Sequence, residues 1–260
     1  LCSWRIKGGG MLEHIRVIDL CDGTSQFAGH ILARLGAEVI AVEPIEGVST
    51  RHSGPYVDDD PHLDFSLTHW AYNRGKKSVV LDIELEQDRE KFLRLIQSAD
   101  ILFEDCQPGY LESLGLSPLD LANTNPQIIH ASITPYGLTG PRSHWLGTDL
   151  TAAAGSSFLY ASGDADRAPL RIGVPHSFLH GAADAAAASL VALQERNRSG
   201  MGQHIDVSAQ ESLTIGFPQN VAPMENALPA DRMAGGIRIG GMEIPLLFPC
   251  LDGYAICVIL

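Results

Sequence analysis

The fold is decided by the stretch Ile15–Pro44, IRVIDLCDGTSQFAGHILARLGAEVIAVEP. Ile15–Leu20 is a short β-rich run, and Phe27–Leu35 carries apolar residues at helical spacing. Gly36 ends that helix, and Val39–Val42 predicts a second strand. Because short strand–helix–strand units build parallel sheets, we expect an α/β fold with a Rossmann-like parallel sheet.

The same alternation continues along the chain. Three further runs predict strands: Ser78–Ile83, Ile101–Phe103 and Ile128–Ile133. Two segments predict helices: Glu86–Gln97, which follows the first of these strands, and Ala182–Arg196, which follows the last. Val174–Gly181, just before the Ala-rich helix, is expected to be a loop. Pro245–Leu260 predicts two paired strands around a turn at Leu251–Gly253.

We divide the chain into three parts. Residues 1–10 lack the apolar core of a signal peptide and are set aside as a leader. Residues 11–218 predict the large Rossmann-like domain, and residues 219–260 predict a linker loop and the start of a smaller domain. The chain stops inside an apolar run, which we interpret as truncation of that smaller domain.

Composition excludes several classes of protein. A net charge of −13 argues against nucleic-acid binding as the main function. Five scattered cysteines in no metal-like spacing indicate reduced thiols. No apolar run is long enough to span a bilayer. We therefore expect a cytoplasmic protein that binds neither nucleic acid nor membrane.

Several polar motifs follow predicted strands or precede them. The GxGxxG fingerprint of a dinucleotide site is absent, since the first turn has Gly23 and Gly29 alone. The basic run Asn73–Ser78 could meet phosphates, or it could be an ordinary surface turn. Asp105–Tyr110 follows a buried strand, where parallel sheets bind ligands, but it could equally be a routine connection.

Two histidines and two acids are the candidate catalytic groups. His176 and His180 are four residues apart, but no third ligand accompanies them, so we expect no metal. Asp149 and Asp184 are isolated acids in apolar surroundings. Such a carboxylate is either hydrogen-bonded structure or an acid–base group with a raised pKa.

In order and spacing the motifs resemble the family III CoA-transferases, the CaiB/BaiF group. The resemblance covers Leu12–Leu260 and rests on six segments of the chain: Leu12–Leu20, Leu35–Pro44, Asn73–Asp82, Asp105–Gly115, Tyr136–Pro141 and Arg198–Ser208. It implies a large Rossmann-like domain, a small domain and two interlocked subunits, as a homodimer or a heterodimer. It also implies a CoA thioester and a carboxylic acid as substrates, with an aspartate that attacks the thioester.

The candidate CoA contacts lie in four short segments: Gly23, Thr24, Arg51, Asn73, Arg74, Lys76, Lys77, Asp105, Cys106 and Gln107. Departures from the family pattern accompany them. The aligned position of the nucleophilic aspartate is Phe178, which cannot form an anhydride. A lysine and an arginine expected at the cofactor are Glu84 and Ser113.

Three hypotheses follow. The chain could be a CoA-transferase that uses another residue, with Asp149 the best acid and His176 or His180 as helpers. It could be a catalytically silent, CoA-transferase-like subunit that partners an active one. It could also be an acyl-CoA isomerase or racemase-type enzyme on the same fold, although the histidine of the racemase triplet is Thr148 here.

Overall fold

The computed structural model describes residues 10–164, 166–216, 236–239 and 242–257. Six strands form one sheet in which every neighbouring pair is parallel. They are β1 (Arg16–Asp19), β2 (Glu38–Glu43), β3 (Lys77–Val80), β4 (Ile101–Glu104), β5 (Ile129–Thr134) and β6 (His204–Ser208).

The strand order across this sheet is β3-β2-β1-β4-β5-β6. From β1 the chain builds outward through β2 to β3, and from β4 it builds the other way through β5 to β6. The order therefore reverses between β1 and β4. In doubly wound sheets, ligands bind in the crevice at the carboxyl ends of the two strands that flank such a reversal.

Nine α-helices are present in the described residues. They are α1 (Phe27–Arg34), α2 (Leu67–Asn73), α3 (Glu86–Gln97), α4 (Tyr110–Ser113), α5 (Pro118–Thr124), α6 (Asp149–Gly155), α7 (Phe158–Ala161), α8 (His176–Ser199) and α9 (Ala209–Gly216). Short 3-10 helices occupy Gly23–Gln26, Ser49–His52 and Val57–Asp59.

Local signals begin and end several helices. Ser117 and Asp120 form a reciprocal capping box at the start of α5, and Pro118 occupies its first turn. Gly200, at φ 76°, ends α8 in the left-handed conformation that glycine adopts without strain.

Helices cover both faces of the sheet and create two apolar cores. On one face α1 and α8 pack on Val17, Phe103 and Ile133. On the other face α3 and α5 pack on Ile18 and Leu102. Because β4 and β5 are buried along their full length, they form the centre of the molecule. The predicted α/β fold with a parallel sheet is confirmed.

Two predictions about local structure are wrong. The expected loop Val174–Gly181 contains the first turns of α8, which begins at His176 and runs for 24 residues. The loop expected over residues 219–241 contains a strand, β7 (Gly236–Ile239), which pairs antiparallel with β8 (Met242–Pro245). The rest of that expected loop, and residues 1–9, lie outside the described residues.

The final hairpin follows its prediction. β9 (Leu247–Cys250) pairs antiparallel with β10 (Gly253–Ile256) across the Leu251–Asp252 turn. Its strands are exposed on both faces. The division into domains at residue 218 stays a prediction.

Candidate functional site

A crevice of about 390 Å³ lies at the carboxyl ends of the strands on both sides of the reversal. We call it the switch-point crevice. Its apolar lining includes Leu20, Val42, Leu81 and Ile83, and Cys106 and Tyr110 contribute the side next to β4. Four carboxylates complete the lining: Asp22, Glu46, Asp82 and Glu84.

Hydrogen bonds to carboxylates connect the segment that follows β1 with the segment that follows β4. The backbone N–H of Asp22 donates to Asp105 Oδ1 at 2.8 Å. Asp22 Oδ1 in turn accepts from the N–H groups of Gly23 and Ser49, each at 2.7 Å. Burial raises the pKa of Asp105 well above its usual value, although the hydrogen bonds oppose that shift. Gly23 and Asp105 are therefore both bonded to Asp22, which lines the crevice, and Thr24 follows Gly23 in the 3-10 helix Gly23–Gln26.

Lys76, predicted to meet phosphates, points into the protein instead. Its Nζ donates to Asp19 Oδ2 at 2.6 Å, to the Gln26 carbonyl at 2.7 Å and to Asn73 Oδ1 at 2.8 Å. The lysine side chain is 2% exposed and the Asp19 side chain is 1% exposed. Because all three N–H bonds of the ammonium have partners, Lys76 has none left for a ligand.

Asn73 belongs to the same buried network. Its Nδ2 donates to Gln26 Oε1 at 2.7 Å and lies 3.1 Å from His69 Nδ1. The Thr50 hydroxyl donates to Gln26 Oε1 at 2.9 Å and lies 2.9 Å from His69 Nδ1. Burial lowers the pKa of His69 to about 4, and the nearby Arg51 adds to the shift. Asn73 also lines a cavity of about 650 Å³ together with Arg51 and Arg74, and its contact with CoA stays a prediction.

Arg51 is also engaged. Its guanidinium forms a two-pronged ion pair with Glu43, at 2.6 and 2.9 Å, and bonds Asp64 at 2.9 Å. Burial favours a higher pKa for Glu43, but the bonds from Arg51 and Ser78 outweigh it and hold the pKa below its usual value. Glu43, which ends β2, is therefore a structural carboxylate.

The remaining predicted cations lie away from the switch-point crevice. Lys77 pairs with Glu38 on the surface at 2.6 Å. Arg74 is exposed and lines a separate cavity of about 650 Å³ beside Leu67 and Trp70. Of the ten predicted CoA contacts, only Cys106 lines the crevice itself, while Cys106 and Gln107 both line a small neighbouring cavity.

The candidate catalytic groups meet at the start of α8. The backbone N–H of Ser177 donates to Asp149 Oδ1 at 2.8 Å, and the Ser177 hydroxyl donates to the Asp149 carbonyl at 3.1 Å. Phe178 is the third residue of α8 and is half-buried. Asp149 therefore contacts α8 one residue before Phe178, through hydrogen bonds that the sequence did not predict, and its catalytic role stays a prediction.

Aromatic rings stack along the same end of α8. The His176 ring lies 5.6 Å from the Phe158 ring and 5.9 Å from the His180 ring, centre to centre. Burial lowers the pKa of His180, and the neighbouring His176 adds to the effect. In the part of the chain that is described, no group of three or more histidine, cysteine or acidic side chains is placed to hold a metal ion.

Sequence reasoning missed a buried polar cluster on β4 and β5. His130 Nε2 lies 3.4 Å from Glu104 Oε1, and Ser132 Oγ lies 2.9 Å from His204 Nε2. Glu104 Oε2 accepts from the Cys106 N–H at 2.7 Å, which connects the cluster to the crevice wall. The available signal was the alternation of His130, Ser132 and Thr134 on one face of β5.

Comparison with known proteins points to one family. A family model described as CoA-transferase family III matches residues 12–260. Over 250 residues the chain is 37% identical to the subunit BbsE of succinyl-CoA:(R)-benzylsuccinate CoA-transferase from Thauera aromatica, covering 95% of this chain and 59% of that protein. Over 217 residues it is 39% identical to acetyl-CoA:oxalate CoA-transferase from Acetobacter aceti, covering 82% and 54% respectively.

A solved structure agrees with these sequence matches. A CAIB/BAIF family protein from Brucella suis superposes with a TM-score of 0.85 at 30% identity, covering 95% of this chain and 65% of the other. The chain spans between half and two thirds of the length of the proteins named here. None of the described helices is both long and apolar enough to cross a membrane.

Proposed function

Because the chain belongs to CoA-transferase family III, we propose that it serves an assembly that moves CoA between two carboxylic acids. The substrates are a CoA thioester and a free acid, as the names of the relatives indicate for those proteins. We further propose that this chain is the subunit that supplies no nucleophile. A partner of the same family would supply the aspartate, and the assembly would be a cytoplasmic heterodimer.

The observation that carries this proposal is Phe178. The resemblance implies that an aspartate at this position attacks the acyl carbon, so that the C–S bond breaks and the CoA thiolate leaves. A benzyl side chain has no lone pair with which to attack. The name of the Thauera aromatica relative includes the word subunit, which supports division of the work between two chains.

Asp149 is the alternative nucleophile, and its surroundings argue against that role. The Ser177 N–H bonds one oxygen of its carboxylate at the start of α8. Both that bond and the helix dipole stabilise the anion and so reduce its tendency to attack. The isomerase alternative lacks the histidine of the racemase triplet, since that position is Thr148.

The proposal is tested by reconstitution. The protein is assayed for CoA exchange between succinyl-CoA and a second carboxylic acid, alone and with a family III partner that keeps aspartate at the aligned position. We expect exchange only in the pair, and after hydroxylamine treatment mass spectra should show the partner's aspartate converted to its hydroxamate. Trapping on Asp149 of this chain, or full exchange by this chain alone, would refute the silent-subunit proposal.

A further inference from the structure

The switch-point crevice has an unusual charge for a site that would receive the phosphate end of CoA. Its described lining residues include four acids, Asp22, Glu46, Asp82 and Glu84, and no lysine or arginine. All four acids are exposed at its rim. CoA carries a pyrophosphate and a 3′-phosphate, which are anionic at neutral pH, so each approach to this rim brings like charges together.

Two of the cations that the sequence assigned to the cofactor are paired with acids of their own. Lys76 is buried against Asp19, and Arg51 is held by Glu43 and Asp64. Arg89, in the first turns of α3, donates to the carbonyls of Ile83 and Glu84, each at 3.1 Å. Arg89 therefore binds two backbone carbonyls of the rim and keeps its positive charge, while Glu84 lines the crevice and Arg89 does not.

Glu84 is held at the rim by a second contact. The Tyr110 hydroxyl, from the first residue of α4, donates to Glu84 Oε1 at 3.1 Å. Burial, followed by the bond to Glu84, raises the pKa of Tyr110 to about 12. The phenol therefore stays a donor at neutral pH, and the carboxylate is oriented between the ends of β3 and β4.

From this geometry we infer that the switch-point crevice of this chain discriminates against the phosphates of CoA, with Glu84 as the specificity-determining residue and Tyr110 as its positioning residue. The inference rests on the proposed function for the substrate class. The apolar interior and volume of the crevice suit an uncharged, nucleoside-sized group. In a mixed assembly, CoA would then be held in the crevice of the partner.

Calorimetric titration of the full-length protein with CoA and with adenosine tests the inference. We expect Glu84→Lys to tighten CoA binding about tenfold, since the variant replaces repulsion by attraction, and to leave adenosine binding within about twofold. Glu90→Lys makes the same change in net charge on the exposed face of α3, and we expect it to alter CoA binding by less than about twofold.

Two milder variants separate charge from folding. Glu84→Gln removes the charge with little change in shape, and Tyr110→Phe removes only the hydroxyl that orients Glu84. Each should tighten CoA binding by about threefold at low salt, and the effect should shrink as salt rises. Circular dichroism and thermal unfolding confirm that all variants are folded.

The inference is overturned if the unaltered protein binds CoA as tightly as the folded Glu84→Lys variant does. It is also overturned if Glu90→Lys matches Glu84→Lys, because net charge alone would then account for the gain. These outcomes are independent of CoA exchange in the reconstituted pair. If the reconstituted pair exchanges no CoA, the proposed function is refuted. The ratios of CoA affinity between the variants and the unaltered protein then still test the inference.

Discussion

The N–H of Ser177 donates to the carboxylate of Asp149 at 2.8 Å, so the acid that begins α6 caps the N-terminus of α8. The Ser177 hydroxyl returns a bond to the Asp149 carbonyl. Asp149, the alternative nucleophile considered above, is therefore a structural contact between two helices.

Asp149→Ala should lower the free energy of unfolding by about 1 kcal/mol, the usual loss for a helix cap. Asp149→Asn should lose less, because its amide oxygen can still accept from Ser177. Urea denaturation measures both values. If neither variant changes stability while both abolish CoA exchange by the reconstituted pair, Asp149 acts in the chemistry rather than in the fold.

Phe178→Asp should give this chain a nucleophile. Position 178 is the third residue of α8, where the helix dipole favours a negative charge. After incubation with hydroxylamine and an acyl-CoA, at a concentration high enough to fill a weak CoA site, mass spectra should show a hydroxamate at position 178. Phe178→Asn is the matched control and should show none. Absence of the adduct in a folded Phe178→Asp protein that still binds acyl-CoA would contradict the alignment of this position.

Two adjacent lysines should differ strongly in their effect on stability. Lys76→Met leaves the buried Asp19 carboxylate without its partner and should cost about 3–5 kcal/mol. Lys77→Met removes an exposed pair with Glu38 and should cost less than about 1 kcal/mol. Denaturation midpoints of the two variants measure the difference. Similar midpoints would show that the Lys76–Asp19 pair is not the structural contact described above.

His69 should make the protein less stable in mild acid. Its pKa is about 4 in the fold because of burial and Arg51, and it is 6.5 without these effects. The unfolded state therefore binds the proton first, so stability present above pH 6.5 is lost as the pH falls towards 4. The loss attributable to His69 should approach about 3 kcal/mol.

Denaturation between pH 7 and pH 4 measures this loss. His69→Gln should flatten the pH dependence of the free energy of unfolding, whereas His62→Gln, at an exposed position, should leave the slope unchanged. An equal slope in all three proteins would exclude His69 as the cause.

The sequence predicted those elements whose signals are local. Helix α3 has the predicted bounds, because its charged first turn and apolar Phe92 and Ile96 lie within the helix itself. The predicted strands differ from β1–β5 by a few terminal residues at most. The position of the switch-point crevice depends on the order of the strands in the sheet. That order depends on the pairing of β1 with β4, which the sequence did not predict.

The start of α8 could not be predicted because its cap is distant. Pro175 precedes the helix and makes no side-chain cap, while the capping acid lies 28 residues before Ser177. Lys76 and Lys77 likewise look alike in the sequence. Only the fold brings Asp19, 57 residues away, against the first of them.

Gly29 of α1 packs against the Lys76–Asp19 ion pair. A Cβ at this position would collide with the Asp19 carboxylate and would contact the Lys76 side chain closely. The side chains at these three positions therefore constrain one another. A descendant that gains a side chain at position 29 must also shorten or lose the acid at the end of β1, and it then has no use for a lysine at position 76. Relatives should accordingly keep or exchange these three residues together, even where the neighbouring cations vary freely.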